Sequence, residues 1–192
     1  GGLDALPKGA VVGSSSLRRR AQVLHYRPDL KLVEFRGNVQ TRLKKLEDGV
    51  AEATFLAVAG LRRLGLDEIA KAPVDVGAML PAVAQGAIGI EQREADEAVS
   101  ALLAPLNDGD TEIRMFAERA FLAGLDGSCR TPIGGLAELA DGRVRLRGEI
   151  IRPDGSERHA TEREGVASDA AAMGADAAAE LRARGGPGFF DA

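Results

Sequence analysis

Apolar and polar positions over residues 1–80 repeat one unit: a short apolar run, a turn holding glycine or serine, then a segment of helical period. Residues 10–13 read as a strand. They lead into a helix from Ser16 to His25 in which Leu17, Ala21 and Leu24 share a face, Ser14 to Ser16 supply the cap and Pro28 follows the end. The next strand spans 31–35, and the helix after it, from Asn38 to Glu47, aligns Val39, Leu43 and Leu46 before Asp48-Gly49. A third strand over 53–58 is apolar on both faces and runs into Ala59-Gly60-Leu61-Arg62-Arg63-Leu64. Such alternation predicts a parallel sheet covered by helices, with right-handed crossovers.

The pattern changes at Pro81. Residues 87–91 read as a strand, followed by a helix over 95–104 and the turn Asn107-Asp108-Gly109. A further helix, capped by Asp110 or Thr111, places Ile113, Phe116, Ala117, Ala120 and Phe121 along a buried stripe and ends at Gly124. Residues 125–132 form a loop. From Gly134 the period is two: strands over 136–139, 143–151 and 157–164 make an antiparallel meander turning at Asp141-Gly142 and Pro153-Asp154-Gly155. Val144, Leu146 and Ile150 share one face of the middle strand, and an alanine-rich helix over 168–183 covers a face with Met173, Ala177 and Leu181; the tail 185–188 reads as loose. Three regions result: 1–80, an α/β domain; 81–108, a stretch of different pattern with a strand and a helix; and 109–192, an α+β domain.

Composition narrows the class. With 45% hydrophobic and 28% charged residues in 192, the chain builds globular cores, and no apolar run approaches membrane-spanning length. The opening GGLDALPKGA has neither the charged head nor the apolar body of a signal peptide, so the expected compartment is the cytoplasm. A formal charge of −4 and 4% aromatic content argue against a nucleic-acid surface. One cysteine forms no internal disulfide, and Cys129 with the distant His25 and His159 makes no metal site, so no metal is expected and both histidines read as surface or packing residues.

The arginines carry the chemical information. Ser14, Ser16, Arg18 and Arg19 follow the first strand, Arg36 and Arg42 flank the opening of the second helix, and Arg63 follows the third strand. In a parallel sheet those turns share the carboxyl edge, where helix N-termini favour anions. Taken singly, each arginine reads as a solvated surface group. Their recurrence at three equivalent turns reads as a crevice for a ligand with several carboxylates or phosphates, which guanidinium groups hold in bidentate fashion. Gly13-Ser14-Ser15-Ser16 lacks the Gly-Lys-Ser/Thr ending of a Walker loop. Cys129, beside Arg130 in a glycine- and serine-flanked loop, has two readings: an electropositive, reactive thiol, or a small loop residue facing a core.

Five ordered blocks, Gly13-Ser14-Ser15-Ser16-Leu17-Arg18-Arg19, Phe35-Arg36-Gly37-Asn38-Val39-Gln40-Thr41-Arg42, Leu56-Ala57-Val58-Ala59-Gly60-Leu61, Leu80-Pro81-Ala82-Val83-Ala84-Gln85-Gly86 and the Cys129 loop, resemble the motifs of the porphobilinogen deaminase (hydroxymethylbilane synthase) family. The resemblance covers nearly the whole chain. It implies an α/β fold with a parallel-sheet, periplasmic-binding-protein-like domain plus a C-terminal α+β domain with a three-stranded antiparallel sheet and helices. It further implies a monomeric cytoplasmic transferase of tetrapyrrole biosynthesis, which joins four porphobilinogen molecules head to tail with release of ammonia to give hydroxymethylbilane. A dipyrromethane cofactor would be held by a thioether at Cys129 and bound by Ser14, Ser16, Arg18, Arg19 and Arg42; Arg36, Arg42, Arg63 and Gln85 would bind porphobilinogen or the growing polypyrrole chain, with Gln85 at the crossover. Two departures stand out: Ser14 where the family often has threonine, and Ala84 where it often has glycine, which narrows the backbone angles of a hinge. The family's first domain precedes the matched region, and its proton-handling aspartate would lie upstream of Gly1, so no catalytic residue is identified within the chain. The chain is therefore expected to be a fragment, inactive alone, with an apolar edge at 87–91 open to association. The alternatives are a non-enzymatic polyanion-binding module, in which Cys129 is incidental, and an interaction fragment that pairs through that edge.

Overall fold

Two small sheets of three strands each, one parallel and one antiparallel, account for the strands of the computed structural model, which describes residues 2–70, 72–128 and 130–191. In the first sheet β1 (Val11–Gly13) lies between β2 (Lys31–Val33) and β3 (Ala53–Thr54), all parallel, so each strand's exit is at one edge. Helices α1 (Leu17–Tyr26), α2 (Val39–Glu47) and α3 (Val58–Arg63) follow the strands in turn. Ala10, Val12, Val23 and Leu30 form the core beneath them, with Leu32, Phe55 and Met79 at its margin. The strand–helix alternation read in the sequence is therefore present. The strands are shorter than the apolar runs of 31–35 and 53–58, because only three and two of those residues pair with β1. Val58 opens a helix instead of closing a strand.

The antiparallel sheet orders β4 (Ile133–Ala140), β5 (Arg143–Ile151) and β6 (Arg158–Val166) as a meander. Val144, Leu146 and Ile150 turn one face toward α5 (Gly109–Gly124) and α6 (Ala170–Gly185), whose Ala117, Phe121, Met173, Ala177 and Leu181 complete the larger core. The two helices touch closely at Gly174, where a Cβ would lie 2.1 Å from the Ala117 carbonyl oxygen. On the opposite face Arg143, Arg145 and Arg147 of β5 pair with Glu164, Glu162 and Glu138 from the strands on either side. Asp108, not Asp110 or Thr111, caps α5: its backbone is still extended, and its carboxylate accepts the Thr111 N–H at 2.7 Å. Phe116, expected in the buried stripe, is half exposed, since the face that meets the sheet centres on Ala117 and Phe121. The tail turns back after α6, and Phe189 is buried, tilted against His159 at 5.3 Å between ring centroids.

Residues 87–91 form no strand. A strand needs a neighbour for its ladder, and none pairs here among the described residues, which leaves Ile88 90% and Ile90 56% exposed. The helix expected at 95–104 is present as α4 (Glu97–Leu103), capped by Asp96. The crossover before it is tightly held. The Pro81 carbonyl accepts the Gly135 N–H at 3.0 Å, and the Ala84 N–H donates to Glu118 Oε2 at 2.6 Å, while Glu118 Oε1 accepts the Ala137 N–H at 2.8 Å. Burial pushes the Glu118 carboxyl above its ordinary value, and its two backbone hydrogen bonds pull the other way.

Ala84 sits at φ 63°, in the left-handed region that a Cβ disfavours. The Ala84→Gly variant is expected to be more stable than the native chain by up to about 1 kcal/mol, because relief of that strain outweighs glycine's extra freedom in the unfolded chain. Chemical denaturation measures it; a variant of lower stability would show that Ala84 carries no strain.

Candidate functional site at the carboxyl edge of the parallel sheet

Serines 14 to 16 bridge β1 and α1 at the edge where all three strands end. The buried Ser14 hydroxyl accepts the Ser16 N–H at 3.3 Å, Ser15 Oγ donates to the Phe35 carbonyl at 3.4 Å, and Ser16 caps α1 by accepting the Arg19 N–H at 3.4 Å. Ser14 and Ser16 use acceptor capacity on backbone and keep their hydroxyl protons to donate. After β2, Gly37 at φ 129° turns the chain into α2, and its bare Cα lets Thr41 close over it: a Cβ there would lie 2.6 Å from Thr41 Cγ2. Asn38 caps this helix through the Thr41 N–H at 2.9 Å, and Arg42 Nε donates to the Gly37 carbonyl at 2.9 Å.

Arg19 feels the charge of Arg42 at this edge. Burial lowers the pKa of Arg19, and the Arg42 charge lowers it further, so the two guanidinium groups feel one another; Arg19 also lies over the Phe55 ring at 5.6 Å. Arg18, in the first turn of α1, is held by protein acceptors. Its Nη1 donates to the Leu80 carbonyl at 2.6 Å and to Gln22 Oε1 at 2.8 Å, and its Nε is buried without a partner. Its pKa is lowered to about 10, mainly by burial and next by Arg19, while Glu149 opposes the shift.

The other candidates are less gathered. Arg36 is exposed and paired with Glu34 at 2.5 Å. Arg63 is the last residue of α3, five positions beyond the start of that helix, so it does not lie at the strand–helix turn where the sequence pattern set it. Gln85 is exposed in the crossover turn, its N–H bonded to the Ala82 carbonyl at 3.1 Å. Cys129 lies outside the described residues, and so does Gly1, ahead of which the family resemblance sets the proton-handling aspartate. The sequence reading missed Gln22, Glu149 and Phe55. Gln22 was findable as the residue four after Arg18 on one helix face, and Glu149 as a lone acid beside Ile150 and Ile151; Phe55 carried no signal beyond its apolar character. No helix among the described residues is long and apolar enough to cross a membrane.

Fold and site together define an α/β protein whose open parallel sheet gathers cationic side chains at its carboxyl edge and abuts a small antiparallel unit. Residues 1–101 match the family model described as porphobilinogen deaminase, dipyromethane cofactor binding domain, and residues 113–183 match that for the porphobilinogen deaminase C-terminal domain. The chain is 66% identical over 98% of its length to the porphobilinogen deaminase of Paracoccus denitrificans, and 54% and 55% identical over 98% and 99% to those of Nitrobacter hamburgensis and Nitrobacter winogradskyi. It belongs to the porphobilinogen deaminase family. It spans about 60% of the length of each of these curated relatives.

Replacing Arg42 with glutamine removes one of two mutually repelling charges. The expected outcome in thermal unfolding at low ionic strength is a gain on the order of 0.5 kcal/mol, which shrinks as added salt screens the repulsion in the native chain. A midpoint that is unchanged or lower at low salt would count against that crowding.

Proposed function

We propose that this chain is the polycarboxylate-holding part of a porphobilinogen deaminase, and that the complete protein condenses four porphobilinogen molecules head to tail into hydroxymethylbilane with release of ammonia. The observation that carries the reading is Arg19 over the Phe55 ring at 5.6 Å, at the carboxyl edge, where burial and the Arg42 charge disfavour its free cation and an anionic ligand would relieve both. Each pyrrole brings an acetate and a propionate, so the anionic load matches such a site.

The residues present fit a dipyrromethane cofactor by donor chemistry. Arg19 and Arg42 offer guanidinium donors, Ser14 and Ser16 offer hydroxyl protons, and the buried Arg18 has an Nε–H with no acceptor. When bound through a thioether to Cys129, the cofactor supplies the pyrrole end to which new units are joined. Around it, Arg18, Arg19 and Arg42 would neutralise carboxylates, and Ser14 and Ser16 would orient them from the cap of α1. Arg36, Arg63 and Gln85 are carried to substrate and growing-chain contacts by family resemblance alone. In the same reading residues 1–80 are a periplasmic-binding-protein-like domain, 81–108 a crossover that returns to a first domain, and 109–192 the domain carrying the cofactor cysteine. The proton-handling aspartate belongs to that first domain, in sequence ahead of Gly1. The complete enzyme would be cytoplasmic and monomeric and bind no nucleic acid or membrane.

The test is mass spectrometry of this chain co-expressed with a matching first domain and supplied with porphobilinogen. A dipyrromethane increment on the Cys129 peptide is expected, with ammonia released by the assembled pair and none by this chain alone. Turnover by this chain alone would remove the need for the family's upstream aspartate. An unmodified Cys129 in a folded assembly would favour reversible polyanion binding.

A further inference from the structure

Glu149 lies on the β5 face turned toward α1 and is 3% exposed, an acid sealed between a sheet and a helix. Its carboxylate is satisfied from two sides: Oε2 accepts Arg158 Nε at 2.6 Å and Oε1 accepts Gln22 Nε2 at 2.6 Å. Gln22 Nε2 also donates to the Leu80 carbonyl at 2.9 Å, while Gln22 Oε1 accepts Arg18 Nη1 at 2.8 Å. The Gln22 amide therefore uses both of its N–H groups and its oxygen. Its orientation has one solution. Turned over, it would set a carbonyl against the Glu149 carboxylate and an NH2 group against the Arg18 guanidinium, two repulsive contacts in a buried place.

The polarity of Glu149 is thus transmitted through one amide to Arg18, the most deeply buried arginine beside the carboxyl-edge crevice. We propose that Glu149, acting through Gln22, is a positioning residue for Arg18: it fixes the guanidinium in a single orientation and offsets its charge, so that the C-terminal sheet presets an anion-binding arginine of the parallel-sheet unit. The inference rests on reading the crevice as an anion site. A bare structural ion pair between Glu149 and Arg158 would leave Arg18 indifferent to both Glu149 and Gln22. A preset arginine would respond to each.

The experiment follows the Arg18 Nε–Hε signal of the full 192-residue chain by NMR, in the native protein and in Glu149→Gln, Gln22→Met and Glu162→Gln, with and without benzene-1,2,4,5-tetracarboxylate as probe. In Glu149→Gln and in Gln22→Met the Hε proton should exchange about tenfold faster, and the tetracarboxylate should bind about tenfold more weakly because the guanidinium is no longer held ready. Glu162→Gln, which alters an exposed pair on the same sheet face, should change neither. A folded Glu149→Gln or Gln22→Met chain with native Arg18 exchange and native affinity overturns the proposal. Loss of fold in both variants overturns it as well, since Glu149 and Gln22 would then support the fold and not one side chain. If the native chain binds no tetracarboxylate, the anion-site reading fails, and the Arg18 exchange rates still decide the coupling.

Discussion

A guanidinium removed from water must find acceptors and a compensating charge, and that demand at Arg18 shapes how the two halves of this molecule meet. Its acceptors come from Gln22, one turn along α1, and from Leu80, the residue just before Pro81. The compensating acid comes from the middle strand of the other sheet. Helix α1 accordingly serves two masters: its N-terminus faces the carboxyl edge of its own sheet, while one flank lies against β5. His25 adds a second tie from the same helix, its Nδ1 lying 2.9 Å from the Gly155 carbonyl oxygen.

The crossover is held from both directions. Arg18 and Gln22 grip the Leu80 carbonyl, and from the C-terminal unit Gly135 binds the Pro81 carbonyl and Glu118 the Ala84 N–H. The short stretch 80–84 therefore carries contacts to α1, α5 and β4 at once. Any rotation between the two units has to break hydrogen bonds at buried groups, which favours few discrete arrangements over continuous flexing. Immediately beyond, at 86–90, such restraints end and the chain lies exposed. The last backbone hydrogen bond of this turn runs from the Ala87 N–H to the Ala84 carbonyl at 3.2 Å.

Much of this was legible in the sequence because local signals and tertiary structure agree. The Ser16 cap, the alternation through α1 and α2, and the two-residue period of β4 to β6 follow from side chains acting within a few positions. What was not legible depends on partners distant in the chain. Residues 87–91 have strand composition, but a ladder is a property of two segments. Arg18 and Arg19 are adjacent and chemically identical, yet the step of roughly 100° between neighbours on a helix sends one toward Leu80 and Gln22 and the other toward Arg42 and Phe55. Asp108 and Asp110 both suit a cap, and the extended backbone at Asp108 decides between them.

The ion pairs on the open face of the antiparallel sheet have a consequence for how that sheet assembles. Its central strand presents Arg143, Arg145 and Arg147, whereas its neighbours present Glu138 on one side and Glu162 and Glu164 on the other. Placing β4 beside β6 would bring acid against acid, whereas β5 between them sets arginines against acids on both sides. The charges thus select the order of strands while the chain is still searching, discriminating among arrangements that the apolar face alone would accept, and that discrimination fades as salt rises.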